Sequence, residues 1–294
     1  MRKLAWLFLS LFPLCAAAQD VHHINVAGRD VAIWKPAGPA PSAGYPLVVF
    51  SHGFTGCNTQ SIFLMEALAK AGYLVLAPNH KDARCGTARG GWRPGMGLHA
   101  RPQQPFRDAA AWSDATYKDR QADMEAVLDA ALHGPAFQGV PVDASRVGLA
   151  GHSLGGYTAL ALAGAWPSWK DPRIKAVLAL SPYCSPFVAK KTLARLDVPV
   201  MYQGGTRDFG VTPVVRRAGG AYDLSSLPKY YVEFEGAGHF AWTQLNPRYQ
   251  SIIDTYSVAF FDRYLKGQTQ PDPLAPLMAK PLPKGVSDLR ADSR

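Results

Sequence analysis

The chain has 294 residues, 31 of them Lys or Arg against 22 Asp or Glu, and 48% are apolar. That apolar share excludes a disordered chain, and the length suits one large α/β domain. The formal charge of +9 is scattered as single residues and pairs, such as Lys190-Lys191 and Arg216-Arg217, with no basic run and no basic–aromatic alternation, which argues against a nucleic-acid partner.

Arg2 and Lys3 precede an apolar stretch from Leu4 to Cys15, and Ala16, Ala17 and Ala18 follow it. A positive start, an apolar run of this length and small residues at the cleavage positions predict a signal peptide over residues 1–18, cut after Ala18. The run is too short to span ~30 Å of hydrocarbon, and no later stretch reaches ~18 apolar residues. The expectation is a secreted or periplasmic protein without stable membrane insertion, in an oxidising compartment. Its mature balance is 29 basic against 22 acidic residues, a formal +7.

Val21–Trp34 reads as one or two short strands with Gly28-Arg29-Asp30 as their turn, and the Pro/Gly-rich stretch Pro36–Gly44 as a loop. Leu47–Phe50 and Tyr73–Ala77 are short apolar runs of the kind buried on both faces of a sheet. Between them Leu64, Ala67, Leu68 and Ala71 share one helical face. Met124, Val127, Leu128, Ala131 and Leu132 mark a second amphipathic helix. Arg146–Ala150 is a further strand and Leu154–Ala165 a small-residue helix. Ile174–Leu180, Val198–Tyr202 and Tyr230–Phe234 complete the strands, and Tyr249, Ile253, Tyr256, Phe260 and Tyr264 line the closing helix. The Pro-rich tail beyond Gly267 is expected to wrap the surface or lie loose. Buried strands alternating with helices predict an α/β domain over residues 19–294, its mostly parallel sheet covered on both faces. Two connections, Asn79–Thr116 and Gly204–Pro228, exceed what such a fold needs. Both leave the carboxyl ends of strands, where open α/β sheets bind ligands.

Gly151-His152-Ser153-Leu154-Gly155 fits G-x-S-x-G between the strand Arg146–Ala150 and the helix that follows. A serine there sits on a strained turn with its hydroxyl exposed, and the glycines avoid collision where strand and helix approach. The hydroxyl needs a base. His239, in the small-residue loop Gly236-Ala237-Gly238-His239-Phe240 beyond the last strand, is best placed to swing toward it. His152 is adjacent in sequence but is expected to point away; His22 and His23 lie near the mature N-terminus, His133 closes a helix, and His80 and His99 belong to the long loop. An acid must orient the base. Asp208, after Val198–Tyr202, gives the chain order Ser, Asp, His that this topology demands; Asp223 and Glu235 are rivals less well placed. Two amides are needed for the oxyanion. One is that of Leu154. The other comes from Ser51-His52-Gly53-Phe54-Thr55-Gly56, with Phe54 as donor and Thr55 its competitor. Phe54, Trp92, Trp112, Tyr183, Phe240 and Trp242 lie in loops that should crown the sheet and wall an apolar cleft. Neither a metal motif nor a dinucleotide or phosphate-loop fingerprint occurs, so no cofactor is expected.

With these residues placed, the chain resembles an α/β-hydrolase. More narrowly it resembles the secreted bacterial dienelactone-hydrolase-like serine esterases, a group similar to the platelet-activating-factor acetylhydrolases. The resemblance runs from about Pro46 to Lys266 and rests on Ser51-His52-Gly53-Phe54, Asp119-Arg120-Gln121-Ala122-Asp123, Gly151-His152-Ser153-Leu154-Gly155-Gly156, Asp208 and Gly238-His239-Phe240. Dienelactone hydrolases carry cysteine where Ser153 stands, which argues against a dienelactone substrate. The chain is also similar to cutinase-like polyester hydrolases around Phe54 and His239, although Pro182-Tyr183-Cys184 replaces the aromatic clamp those enzymes place after this strand. The resemblance implies a carboxylic ester hydrolase acting through an acyl-enzyme on a small or lipid-like ester. A peptidase, a thioesterase and a non-catalytic binding protein on the same fold are the alternatives.

Removal of residues 1–18 leaves Cys57, Cys85 and Cys184. An odd count in an exported protein leaves one thiol over. Cys57 follows the oxyanion loop and Cys85 opens the long loop from a neighbouring strand, so a Cys57–Cys85 disulfide is expected, with Cys57–Cys184 as the rival pairing.

Overall fold

The computed structural model describes residues 21–84, 100–137 and 139–293. Trp92, His99, Cys85 and the signal-peptide segment lie outside them. Among the described residues nine strands form one sheet: β1 (His22–Val26), β2 (Arg29–Trp34), β3 (Tyr45–Ser51), β4 (Leu74–Pro78), β5 (Val142–His152), β6 (Ile174–Leu180), β7 (Val200–Gly205), β8 (Lys229–Phe234) and β9 (Val286–Asp292). Their spatial order is β1-β2-β4-β3-β5-β6-β7-β8-β9. From β4 to β8 all neighbours run parallel; β1, β2 and β9 pair antiparallel at the two ends. The helices are α1 (Ile62–Lys70), α2 (Lys118–His133), α3 (Leu154–Leu160), α4 (Ser185–Lys190), α5 (Thr212–Arg216), α6 (Ala221–Leu224) and α7 (Gln250–Tyr264). None is long and apolar enough to cross a membrane, among the described residues.

The central strands are apolar on both faces because both faces are covered. In β3, Leu47 and Val49 enter one hydrophobic layer with Met124, Val127 and Leu128 of α2 and Leu154 and Tyr157 of α3. Val48 and Phe50 enter the other, with Phe63, Leu64 and Leu68 of α1 and Ile253, Tyr256 and Phe260 of α7. This is the mostly parallel, doubly covered sheet expected from the alternating pattern, and it has the α/β-hydrolase fold.

Three local expectations fail. The first turn is Ala27-Gly28, not Gly28-Arg29-Asp30: both residues take positive φ (48° and 79°), and Arg29 and Asp30 already belong to β2. A two-residue turn with both φ positive matches the twist of the strands it joins. The small-residue helix ends at Leu160 and passes into a wider turn, Ala161–Ala165, where Gly164 has φ 117°. The tail is neither loose nor a mere wrapping: Val286–Asp292 pairs along the whole of β8 and covers that sheet edge.

The sheet also decides where chemistry is placed. From β3 the chain crosses to β4 on one side, then returns to β5 on the other. The carboxyl ends of β3 and β5 therefore border a topological switch point, the place where open parallel sheets form their crevice.

Candidate active site

Ser153 stands at the end of β5 with φ 55° and ψ −116°, a conformation rarely occupied by a non-glycine residue. The glycines around it have no room for a side chain. A Cβ on Gly155 would lie 1.9 Å from the Ser51 carbonyl oxygen, and one on Gly151 would lie 2.2 Å from the Gly155 carbonyl oxygen. The Ser153 backbone is held by N–H donation to the Leu180 carbonyl at 3.0 Å and by acceptance from the Tyr183 N–H at 2.9 Å.

The structure brings Ser153, His239 and Asp208 together from the ends of β5, β8 and β7. Ser153 Oγ is 3.0 Å from His239 Nε2. On the other side of the ring, Nδ1 is 3.2 Å from Asp208 Oδ1 and 2.9 Å from Ser181 Oγ. Ser181 donates in turn to the second Asp208 oxygen, which also accepts from Thr212 Oγ1 at 3.2 Å. The Asp208 side chain is 2% exposed. Burial works against its ionisation, but the hydrogen bond and charge of His239, with the hydrogen bond from Ser181, outweigh it and hold the carboxyl below its ordinary range. Such a row can pass a hydroxyl proton to an imidazole whose other nitrogen is bonded to a carboxylate. The rival acids are elsewhere: Asp223 accepts from the Gly219 N–H at 2.8 Å within its own turn, and Glu235 is exposed. Ser181 escaped the sequence reading; its only signal was a hydroxyl one residue past β6.

The loop after β3 lies against this row. A Cβ on Gly53 would be 3.4 Å from Ser153 Cβ. The Thr55 amide donates to Asp82 Oδ2 at 3.0 Å, so this competitor of Phe54 is already committed. Beneath the loop, Arg120 donates to the carbonyls of His52 (2.7 Å) and Gly53 (3.2 Å) and to both oxygens of Asp82 (3.1 and 2.8 Å). Burial and then the Arg120 charge push the His52 imidazole down to about 4. The same causes, in the same order, push His80 well below its ordinary value. Both are therefore neutral links: His52 Nδ1 donates to the Gly53 carbonyl at 2.7 Å and its Nε2 accepts from the His80 amide at 3.0 Å. His80 is thus a buried anchor of this network, although its sequence position suggested only a loop.

Above Ser153 opens a cleft of about 480 Å³, mostly apolar, walled by Phe54, Phe106, Tyr183, Val211 and Phe240. Phe54, Tyr183 and Phe240 are where the sequence placed them. Trp112 and Trp242 do not reach the cleft. Trp112 is fully buried behind it: the ring packs on Phe106 and Tyr183 at 5.5 and 4.7 Å, and its Nε1 donates to the Pro105 carbonyl at 3.1 Å. Trp242 is fully buried behind His152, with Nε1 donating to Gln203 Oε1 at 3.0 Å. Each indole thereby buries a large ring and satisfies its N–H, which a place in the cleft would not do. Trp92 and Cys85 lie outside the described residues, so the expected Cys57–Cys85 bridge is not described; Cys184 is a free, buried thiol. A larger open cavity of about 780 Å³ lies against α7, remote from Ser153.

The fold and this row of side chains define a serine esterase of the α/β-hydrolase superfamily, a carboxylic ester hydrolase. Residues 115–282 match the family described as PET hydrolase-like, and the chain belongs to that family. Residues 22–89 match the description platelet-activating factor acetylhydrolase, isoform II. Among curated proteins the chain is 26% identical over 234 residues to Cutinase 2 of Thermobifida cellulosilytica, covering 79% of this chain and 73% of that one. It is 26% identical over 234 residues to Cutinase cut1 of Thermobifida fusca, covering 79% of this chain but only 60% of the relative. It is 34% identical to Cutinase 1 of Thermobifida cellulosilytica over 131 residues, 44% of this chain and 45% of that one.

Proposed function

We propose that the protein is an exported esterase in which Ser153 is the nucleophile, His239 the general base and Asp208 the orienting acid. The observation that carries this is the continuous contact from Ser153 Oγ through His239 to Asp208 at 3.0 and 3.2 Å. Ser153 Oγ adds to the ester carbonyl as His239 Nε2 takes its proton. The backbone amides of Phe54 and Leu154 receive the oxyanion, Leu154 at the start of α3, where the helix dipole favours negative charge. His239 then protonates the departing alcohol, and deacylation repeats these steps with water in place of the hydroxyl. Asp208, held ionised, fixes the Nδ1–H tautomer of His239 and stabilises its imidazolium.

The cleft supports esters with an apolar or aromatic group beside the carbonyl, because Phe54, Phe106, Tyr183 and Phe240 offer ring faces and edges. The relatives named cutinases support the same class. A polyester chain and a lipid acetyl ester are the two sources that fit. The first is supported by the match of residues 115–282, the part that carries Ser153, Asp208 and His239, to the PET hydrolase-like family, and the second by the match of residues 22–89, the part that carries Phe54, to the acetylhydrolase description. Cleavage after Ala18 and a Cys57–Cys85 disulfide complete the proposal. N-terminal sequencing of exported material checks the first, and non-reducing peptide mapping the second, with free thiol at Cys85 as the contrary result.

The decisive experiment is a panel of p-nitrophenyl esters of increasing acyl length, run with a fluorophosphonate probe. Turnover with labelling confined to Ser153 is expected. Absence of both defeats the assignment, and labelling that persists in Ser153→Ala names another serine.

A further inference from the structure

A hydrogen-bonded bridge of fixed polarity crosses the floor of the cleft. At one end His152 Nε2 is 2.8 Å from the backbone carbonyl of His239. A carbonyl only accepts, so this nitrogen carries the proton. Burial, and then the charge of His239, pushes the His152 imidazole down to about 3, so the ring is neutral and its Nδ1 accepts. The group 3.0 Å from Nδ1 is Gln60 Nε2, which donates. The remaining Gln60 atom, Oε1, accepts from the Gly53 N–H at 3.2 Å. Gln60 and His152 are each 2% exposed. Glycine at position 56 makes room for the amide: a Cβ there would stand 2.2 Å from Gln60 Oε1.

One amide therefore ties the residue before Phe54 to the backbone of His239. We propose that Gln60 is a positioning residue of the esterase, acting through His152 on the loop that carries the base and through Gly53 on the loop that carries the oxyanion donor. This rests on the roles proposed above for His239 and Phe54. Its physical basis is an imidazole held at both of its nitrogens. With Gln60 donating to Nδ1, the neutral ring must keep its proton on Nε2, facing the His239 carbonyl. Without that donor Nδ1 and the Gly53 N–H are buried without these partners, and the ring is held at Nε2 alone. The His239 loop is then tethered to a ring that is free to tilt, while Ser153 and Asp208 keep their contacts. A shift of about 1 Å in such a group costs up to about 100-fold in rate.

Two substitutions separate the ends of the bridge. Gln60→Leu removes both bonds. Gln60→Glu keeps an acceptor for the Gly53 N–H at unchanged size but sets a carboxylate, an acceptor in place of the donor, against His152 Nδ1, and so remains informative where the leucine variant does not fold. For each, kcat and KM on a p-nitrophenyl ester are measured together with the melting temperature and ¹⁵N-histidine NMR. The expected result is a fall in kcat of about tenfold or more with KM changed less than about threefold. In the wild type, His152 should show a protonated Nε2 and a bare, hydrogen-bonded Nδ1 that does not titrate between about pH 5 and 9; in Gln60→Leu that Nδ1 should lose its hydrogen-bond shift, and in Gln60→Glu the carboxylate should draw a proton onto it. A folded Gln60→Leu or Gln60→Glu with wild-type kcat, or a wild-type His152 protonated on Nδ1, overturns the inference. Fluorophosphonate labelling of the wild type tells the two failures apart: labelling at Ser153 with an unchanged variant defeats the bridge alone, and labelling elsewhere defeats the assignment of the site as well.

Discussion

Arg120 and Asp82 meet at 2.8 Å beneath the loop that follows β3, the Arg120 side chain fully buried and the Asp82 side chain 17% exposed. The guanidinium divides its donors between that carboxylate and the carbonyls of His52 and Gly53, and the carboxylate in turn takes the Thr55 amide. The pair is thus a clamp on the loop's backbone. Burial disfavours the Asp82 charge, but Arg120 overcomes this and holds its carboxyl far below the ordinary range. Arg120→Ala should leave a half-buried carboxylate without its counter-charge and the His52 carbonyl without this donor, and cost about 3–5 kcal/mol. Urea denaturation checks this; a loss below about 1 kcal/mol would show that water replaces the clamp.

Asp208→Asn should lower kcat by about 10³–10⁴ with the fold intact, because the amide cannot stabilise the imidazolium and favours the wrong tautomer. Asp223→Asn should change kcat by less than about twofold. Ser181→Ala removes one donor to Asp208 and should lower kcat by only about tenfold. Equal losses in the two aspartate variants would return Asp223 to consideration.

Phe240 and Trp242, two residues apart, should behave as opposites. Phe240 is 47% exposed at the cleft and Trp242 is fully buried. Phe240→Ala should raise KM for long-chain esters more than for acetate while the melting temperature holds. Trp242→Ala should cost about 3–5 kcal/mol of stability through the cavity it opens. The comparison fails if Phe240→Ala affects all chain lengths alike.

Asp254 on α7 supplies a pH dependence of stability. Burial, and then the nearby Glu66 charge, pushes its carboxyl up to about 7, and its Oδ1 has no hydrogen-bond partner among the described residues. A folded value above the unfolded one means that the native state holds the proton more tightly. There is no penalty below about pH 4, and stability is lost as pH rises from about 4 to 7. Asp254→Asn should therefore stabilise by about 1–3 kcal/mol at pH 8, allowing for partial solvation, and by almost nothing at pH 4. Denaturant midpoints at the two pH values test it; an equal gain at both would mean a packing effect instead.

What the amino-acid sequence determined by itself is what short stretches of chain settle. Ile174–Leu180 is apolar apart from the exposed Lys175 and is a strand with those bounds. Gly151-His152-Ser153-Leu154-Gly155 forces strand, strained turn and helix within a few residues, because nothing larger than glycine fits at Gly151 or Gly155. Asp208 is preferred to Asp223 because it lies nearer the carboxyl end of its strand, and Phe54 to Thr55 because Gly53 and Gly56 let the backbone turn inward. Only the tertiary structure decided which large side chains are buried behind the site and which face it. Trp112 and Trp242 look like cleft residues in sequence, but their partners Pro105, Tyr183 and Gln203 come from packing that local composition does not encode. The pairing of Val286–Asp292 with β8 is equally non-local: it spans more than fifty positions along the chain and depends on an edge whose need for cover appears once the sheet exists. The same holds for Gln60, His152 and Arg120. A lone Gln, His or Arg has no sequence signature for a buried role; each acquires one when folding removes water and leaves its donors and acceptors to be matched by the backbone of distant loops.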